Sequence, residues 1–204
     1  MSLDRFNKLA KEWDAKPERV KGALTFVNKI KEYLPCDISN HSLLDYGCGS
    51  GLVSFGFADD IKSILGLDFS AGMVDVYNNK AKKIGFKNIE AKLHDIDKEP
   101  LDENQFNIIA TNMTMHHITD TSSFIKKLSS ALKPSGKLFI ADLDLEDGTF
   151  HSDNTGVVHF GFDRESLINY FKDAGLTNIK IETLQSISKP HRDFDIFFIT
   201  GEKI

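Results

Sequence analysis

The chain of 204 residues is 41% hydrophobic and 27% charged, which predicts one globular domain with a single sizeable core. Its net charge of −5, without a run of Lys or Arg, argues against a nucleic-acid partner, whose phosphates require a basic surface. We find neither an apolar run of the ~18 residues that cross a membrane nor an N-terminal signal segment, and we expect a cytoplasmic protein without membrane contact. The two cysteines, Cys36 and Cys48, are expected to be free thiols, and the oligomeric state stays open.

Two helices are predicted ahead of the first strand. Residues 2–14 have amphipathic spacing, with the sole tryptophan, Trp13, on the apolar face. A second helix begins near Pro17, a favourable first-turn residue, and ends at Pro35.

A glycine loop follows the first predicted strand, residues 43–46. Gly47, Gly49 and Gly51 stand at alternate positions, so one side of the turn lacks Cβ atoms and a ligand can lie against the backbone. A helix predicted over residues 52–58 would add free N–H groups and a partial positive charge. Tight packing alone would also explain such a turn.

The residues flanking this loop indicate which ligand it suits. Asp45 precedes the loop, and a carboxylate repels a pyrophosphate but attracts an ammonium or a sulfonium. Leu52 occupies the last glycine position of the dinucleotide fingerprint G-x-G-x-x-G, which argues against NAD. S-adenosylmethionine carries both cationic groups and is therefore the favoured cofactor.

The motif D-x-G-x-G-x-G after a strand resembles the first motif of class I S-adenosylmethionine-dependent methyltransferases, especially the group similar to ubiquinone and menaquinone biosynthesis methyltransferases. The resemblance covers residues 43–203 and implies an α/β fold, a three-layer Rossmann-like sandwich with a seven-stranded, mostly parallel sheet and an antiparallel last strand. Independently, the connection between predicted strands 179–184 and 194–200 is too short for a helical crossover, so these strands should pair antiparallel. We expect a single domain over residues 1–204, with residues 1–40 capping the cofactor site. Within the loop, the resemblance assigns cofactor contacts to Asp45, Gly47, Cys48, Gly49 and Gly51.

The second predicted strand, residues 61–67, ends at Asp68. An acidic residue at this position can accept hydrogen bonds from both ribose hydroxyls, a feature shared with NAD-binding folds. The resemblance implies that Asp68 binds the ribose and that Phe69 and Met73 flank the adenine, although ordinary core packing would also explain the last two. Ser70 should cap the following helix, which runs to residue 83.

The third and fourth predicted strands, residues 89–93 and 106–110, also end in polar residues. By resemblance, Asp95 accepts a hydrogen bond from the adenine amino group and Ile96 closes over the ring, while a loop-capping role remains open for Asp95. The fourth strand leads into a segment similar to the small-molecule form of the family's fourth motif, which adds Asn112 to the cofactor site. It lacks the D/N-P-P sequence of DNA-base methyltransferases, so DNA is not the expected substrate.

His116 and His117 are the candidate catalytic residues in this segment. As neighbours in an extended chain they should point apart, and one imidazole could take a proton from a substrate hydroxyl or amine. A packing role is the alternative. We expect no metal site, because the sequence provides no third ligand.

Residues 144–162, after the predicted fifth strand at 137–141, form the least regular stretch. Long irregular loops in compact domains are usually functional, and this one leaves the ligand side of the sheet. We predict that it builds the substrate side of the site, against a solvated acidic loop as the alternative. The candidate acceptor residues are Trp13, Asp144, His151, His159 and Phe160.

These features predict an enzyme that transfers a methyl group from S-adenosylmethionine to a small-molecule acceptor and releases S-adenosylhomocysteine. The alternatives are a methyltransferase acting on protein or RNA, which would need an extended binding surface, and a non-catalytic nucleoside-binding module. The acceptor atom cannot be read from the sequence.

Overall fold

In the computed structural model the described residues are 3–204, so the predicted helix start at residue 2 lies outside them. The chain alternates strands and helices after an N-terminal helical segment. The helices are α1 Leu3–Leu9, α2 Pro17–Glu32, α3 Ala71–Ile84, α4 Thr121–Ala131 and α5 Arg164–Asp173. The strands are β1 Ser42–Tyr46, β2 Ser63–Asp68, β3 Ile89–Leu93, β4 Phe106–Asn112, β5 Leu132–Leu143, β6 Leu176–Lys189 and β7 Arg192–Lys203. Short 3₁₀ turns occupy Ala10–Ala15, Ser54–Gly56 and Met115–His117.

The seven strands form one sheet in the order β3-β2-β1-β4-β5-β7-β6. Neighbours pair in parallel except that β7 runs antiparallel to both β5 and β6. The predicted fold class is therefore confirmed. The order reverses between β1 and β4, and in open α/β sheets the crevice at the carboxyl ends of such strands is where ligands bind.

Apolar side chains cover both faces of the sheet and make the three-layer sandwich. On β1, Leu43 packs with α2 and α3 on one face, and Leu44 packs with α4 and α5 on the other. Period-two alternation on a strand covered on both sides produces this arrangement. The predicted cap of α3 is confirmed, since Ser70 accepts a hydrogen bond from the Met73 N–H, and Asp163 caps α5 in the same way through the Ser166 N–H.

The prediction of a helix over residues 52–58 is wrong. Only the three residues Ser54–Gly56 in this part of the described chain form a helical turn, and it is a 3₁₀ turn. The Ser54 N–H and hydroxyl donate to the Asp45 carboxylate, and this contact with β1 competes with α-helical hydrogen bonding. The glycine loop is therefore not followed by an α-helix N-terminus with free backbone N–H groups for a ligand.

The final hairpin is longer than predicted. Most of residues 185–193 belong to strands, because Lys189 pairs with Arg192 across a two-residue turn. Ile187 packs against the core, so alternation continues beyond the predicted strand end. The extension brings the end of β6 to the ligand side of the sheet, beside loop 144–162.

Candidate active site

A cavity of about 640 Å³ lies at the carboxyl ends of the central strands. Besides the strand ends, the N-terminal segment, loop 144–162 and the end of β6 line it. Gly51, Asp144, His159 and Phe160 lie outside the lining. The cavity brings together these predicted site residues: Trp13, Asp45, Gly47, Cys48, Gly49, Asp68, Phe69, Met73, Asp95, Ile96, Asn112, His116, His117 and His151.

Gly49 and Gly51 have different roles in the loop. Gly49 has a φ of +51°, and a Cβ added there would extend toward the cavity, 4.0 Å from Met73 Sδ and from Trp13 Nε1. Gly51 has a φ of +90°, and an added Cβ would lie 2.5 Å from the Phe55 ring. Gly49 thus leaves room for a ligand, whereas Gly51 permits packing beneath the loop.

Asp68 is fixed by two backbone donors at the end of β2. Its Oδ2 accepts from Gly49 N–H and its Oδ1 from Ser70 N–H, each at 2.8 Å. Burial raises the pKa of Asp68, and the backbone donors oppose that rise. Each carboxylate oxygen keeps a further lone pair, so the group can still accept ribose hydroxyls.

Asp45 is almost fully buried at the end of β1. Its Oδ2 accepts from the Ser54 hydroxyl at 2.6 Å and from Ser54 N–H at 3.1 Å. Burial raises the pKa of Asp45 to about 6, although the Ser54 donors lower it. Together with Asp68, Asp95 and Asp97 it forms what we call the acidic wall of the cavity.

Ile96 and Asp95 are held in place after β3. The Ile96 N–H donates to Tyr46 Oη at 3.1 Å, and the Ile96 carbonyl accepts from Lys127. The Asp95 carboxylate pairs with Lys98 at 2.8 Å, and this partner lowers the pKa of Asp95. Both residues therefore face the cavity from a defined backbone position.

His116 and His117 lie side by side, so the expectation that they point apart is wrong. They belong to a 3₁₀ turn rather than an extended segment, and their ring centroids are 4.1 Å apart. His116 Nδ1–H donates to Asp142 Oδ1 at 2.8 Å in a fully buried pair. His117 Nδ1–H donates to the Gly156 carbonyl at 2.8 Å.

The electrostatics of this group follow from burial and pairing. Burial alone would raise the pKa of Asp142, but His116 and two backbone donors hold it below its usual range. Asp142 is thus an ionised acceptor, which fixes the proton of His116 on Nδ1. Burial, with a smaller contribution from the neighbouring His116, lowers the pKa values of His117 and His151 to about 4. Both are neutral at pH 7.

His151 comes from loop 144–162 and completes a histidine cluster. Its ring centroid lies 5.1 Å from that of His116. Its Nε2 is buried and has no hydrogen-bond partner among the described residues. Because a buried polar atom is normally paired, this nitrogen is open to a ligand.

The other acceptor candidates in the loop support it rather than line the cavity. Asp144 forms a two-point ion pair with Arg164, and His159 Nε2–H donates to the Ile118 carbonyl at 2.9 Å. Phe160 is 43% exposed. The pattern of polar and aromatic residues located the loop but could not distinguish its inner from its outer side chains.

The sequence interpretation missed the contacts of the N-terminal segment. The Phe6 ring lies 5.4 to 5.7 Å from the rings of Trp13, Phe69 and His117. The position of Phe6 on the apolar face of the predicted helix, together with Trp13, was the sequence feature that could have indicated these contacts.

Two polar residues, Asp14 and Asn7, also connect this segment to the site. Asp14 accepts from the Ser50 hydroxyl at 2.5 Å and from Lys80 Nζ at 2.6 Å. Asn7 Oδ1 accepts from Ser70 Oγ and Gly72 N–H. These partners lie far apart in the sequence and belong to no recognised motif, so the contacts could not be predicted from it.

The lining fits S-adenosylmethionine. The acidic wall suits a ligand with an ammonium and a sulfonium, Asp68 suits a diol, and the open side of Gly49 leaves space at the loop. Within residues 3–204, no group of three or more His, Cys, Asp or Glu is arranged to hold a metal ion. Over the same residues, no helix has the length and apolar character needed to span a membrane.

Comparisons with known proteins agree with this geometry. A family model described as a methyltransferase domain matches residues 37–196. An uncharacterized methyltransferase of Schizosaccharomyces pombe is 37% identical over 158 residues, covering 70% of this chain and 56% of the relative. A ubiquinone biosynthesis O-methyltransferase of Coxiella burnetii is 30% identical over 145 residues, covering 70% of this chain and 61% of the relative. The chain thus spans somewhat over half the length of these relatives.

A solved structure shares the fold. The crystal structure of an S-adenosylmethionine-dependent methyltransferase from Aquifex aeolicus superposes with a TM-score of 0.70 at 19% identity, and the match covers 100% of both chains. Fold, cavity and family model lead to the same conclusion: the chain belongs to the S-adenosylmethionine-dependent methyltransferases, and S-adenosylmethionine is its cofactor.

Proposed function

We propose that this enzyme methylates a hydroxyl group of a small-molecule acceptor, with His116 as the general base. The observation that carries the proposal is the buried His116–Asp142 pair beside the cavity. The cofactor, when bound, supplies a methyl group already activated by its sulfonium. The protein therefore has to orient the acceptor, exclude water and remove one proton.

The histidine–aspartate pair suits proton removal from a hydroxyl. Because Nδ1–H is committed to Asp142, the Nε2 of His116 is the nitrogen that can accept the proton. The ionised Asp142 would stabilise the resulting imidazolium. His117 is a weaker candidate, because burial holds its pKa near 4 and its conjugate acid is unstable.

The cofactor contacts belong to the same proposal. Asp68 would accept the ribose hydroxyls, Asp45 would face the ammonium, and Asp95 would accept the adenine amino group. The backbone of the loop would lie against the ligand at Gly49. Further contacts would come from Gly47, Cys48, Phe69, Met73, Ile96 and Asn112, all of which line the cavity.

A small acceptor is favoured over a protein or RNA. The volume of about 640 Å³ is within the range of small-molecule sites, and the N-terminal segment and loop 144–162 both line the cavity. A macromolecule would need an open groove instead. The C. burnetii relative is named a ubiquinone biosynthesis O-methyltransferase, which supports an oxygen acceptor.

The first experiment is calorimetric titration with S-adenosylhomocysteine, with NAD as the control. We expect micromolar binding of the first and none of the second. Release of S-adenosylhomocysteine is then followed with panels of phenols, amines and thiols.

The matched variants are His116→Gln, Asp142→Asn and, as control, His191→Gln on the exposed β6–β7 turn. We expect the first two to slow methyl transfer about 10²- to 10⁴-fold with cofactor binding retained. Transfer only to amines or thiols, indifferent to His116→Gln, would contradict the proposal.

A further inference from the structure

Charged side chains divide the cavity into two electrostatic regions. The acidic wall lies at the strand ends, where the cofactor site is proposed. Basic residues line the cavity elsewhere, on the N-terminal segment, the first half of α2 and the end of β6. They are Arg5, Lys16, Arg19, Lys21 and Lys189, and we call them the basic rim. Glu18 is the acidic residue among them.

Arg5 is the member of the basic rim that pairs with a carboxylate, that of Asp153 at 3.3 Å. Of the ion pairs among the described residues, none includes Lys16, Arg19, Lys21 or Lys189. Arg19 lies 3.6 Å from the centroid of the Trp13 ring and donates to the Trp13 carbonyl. Its charge is therefore held by an aromatic face and a neutral acceptor.

Lys189 is the member of the basic rim that contacts Phe150 of loop 144–162. Its ammonium donates to the Phe150 carbonyl and lies 4.2 Å from the centroid of the Phe150 ring. An ammonium has three donors, so this contact leaves it capable of binding an anion. The side chain is half-buried, where such a bond is less screened by water than on an open surface.

His151 follows Phe150 directly and provides the second group. Its Nε2 is the buried nitrogen without a partner among the described residues. Lys189 is close enough that its charge contributes to the lowered pKa of His151. A buried donor without a partner is unfavourable, and an anionic oxygen would provide the missing acceptor.

Taking these contacts together, we propose that the acceptor carries an anionic group, a carboxylate or a phosphate, bound between Lys189 and His151. This inference rests on the proposed function and specifies its substrate class. The neutral His151 would donate from Nε2–H, and the other residues of the basic rim would attract the anion over a longer range.

The placement of the two histidines makes the inference consistent with the chemistry. The His151 ring is 5.1 Å from the His116 ring, so an anion on His151 would leave the remainder of the acceptor beside the base. The acidic wall and the bound anion would then lie in different regions. Opposite charges on cofactor and acceptor would match the divided lining of the cavity.

The test is an anion titration monitored at the histidine ring. The protein saturated with S-adenosylhomocysteine is titrated with benzoate, inorganic phosphate and neutral benzamide at constant ionic strength. The His151 ring C–H signal is followed by NMR, and its assignment comes from His151→Gln. We expect saturable shifts with benzoate, phosphate or both, at Kd values below about 50 mM, and none with benzamide.

Two lysines on the same strand provide the matched variants. Lys189→Met should weaken anion binding about tenfold or more, because a charge-assisted bond is lost, whereas Lys180→Met, outside the cavity, should leave it unchanged. If Lys189→Met does not fold, Lys189→Gln replaces it. A response to benzoate alone identifies a carboxylate, and one to phosphate alone a phosphate.

Several outcomes would overturn the inference. They are equal binding of benzamide and benzoate, no saturation with either anion, and unchanged anion binding in the folded Lys189 variants. Failure of the proposed function looks different, since it shows as missing S-adenosylhomocysteine binding or as methyl transfer that does not need His116.

Discussion

The cofactor half and the acceptor half of the cavity are constructed differently. The proposed cofactor residues lie at the carboxyl ends of β1, β2, β3 and β4 or shortly after them, and backbone donors fix the key carboxylate, Asp68. The acceptor half is assembled from the N-terminal segment, loop 144–162 and the end of β6, through contacts between residues far apart in the chain. The sheet therefore determines the first half, while the second can change its chemistry without changing the fold.

The largest expected effect tests the cofactor half at Asp68. Asp68→Ala should weaken S-adenosylhomocysteine binding about 100-fold, because charge-assisted bonds to the ribose are lost. Asp75→Ala, an exposed acid on α3, is the matched control. Calorimetry measures both, and an unchanged affinity in folded Asp68→Ala would remove this residue from the site.

The two loop glycines separate binding from packing. Gly51→Ala should lower the free energy of unfolding by about 2 kcal/mol or more, through strain at positive φ and contact with the Phe55 ring. Gly49→Ala shares the positive φ without that contact, so it should lose cofactor affinity with a smaller loss of stability. Urea unfolding and calorimetry compare them, and the reverse ranking would contradict the division of roles.

Asp14 attaches the N-terminal segment of the acceptor half to the glycine loop and α3 of the cofactor half. Asp14→Asn weakens the contacts with Ser50 and Lys80 and should speed S-adenosylhomocysteine release about tenfold, because the segment lining the cavity is less firmly held. Stopped-flow displacement measures the rate. Asp4→Asn, exposed on α1, is the control, and equal rates in both variants would refute the attachment.

The smallest effect is a dependence of cofactor affinity on pH. Burial raises the pKa of Asp45 to about 6, so the carboxylate that would face the ammonium is ionised above pH 6 and protonated below it. Affinity for S-adenosylhomocysteine should therefore rise with pH through 6, and should be about fourfold weaker at pH 5.5 than at pH 8. Titrations across this range should show no such step for Asp45→Asn. A step of the same size in the variant would assign it to another group.

The sequence allowed prediction of the features that depend on short spacings. The glycine loop, Asp68, Asp95 and the antiparallel hairpin each follow from a few consecutive residues or from one connection length. The fold class was expected from the family resemblance that these motifs carry, and the sheet confirms it. The prediction of a helix over residues 52–58 failed because Asp45 binds Ser54, a contact between a strand and a turn that propensity does not register.

The acceptor half could not be derived in the same way. Asp144 and His151 lie in one polar loop, yet the first pairs with Arg164 and the second lines the cavity. Their difference depends on how the loop folds back on the sheet. Likewise, the pairing of His116 with Asp142 joins the ends of β4 and β5, and the strand order that makes them neighbours is a property of the whole sheet.

The 3₁₀ turn after the glycine loop affects which ligand charge the loop favours. An α-helix starting there would present a partial positive charge equivalent to roughly half a proton, which attracts phosphates. A single tight turn directed at Asp45 provides almost none of this field, and the neighbouring carboxylates add the opposite sign. At the glycine loop, a nucleoside with a phosphate tail should therefore bind less tightly than one with a cationic tail.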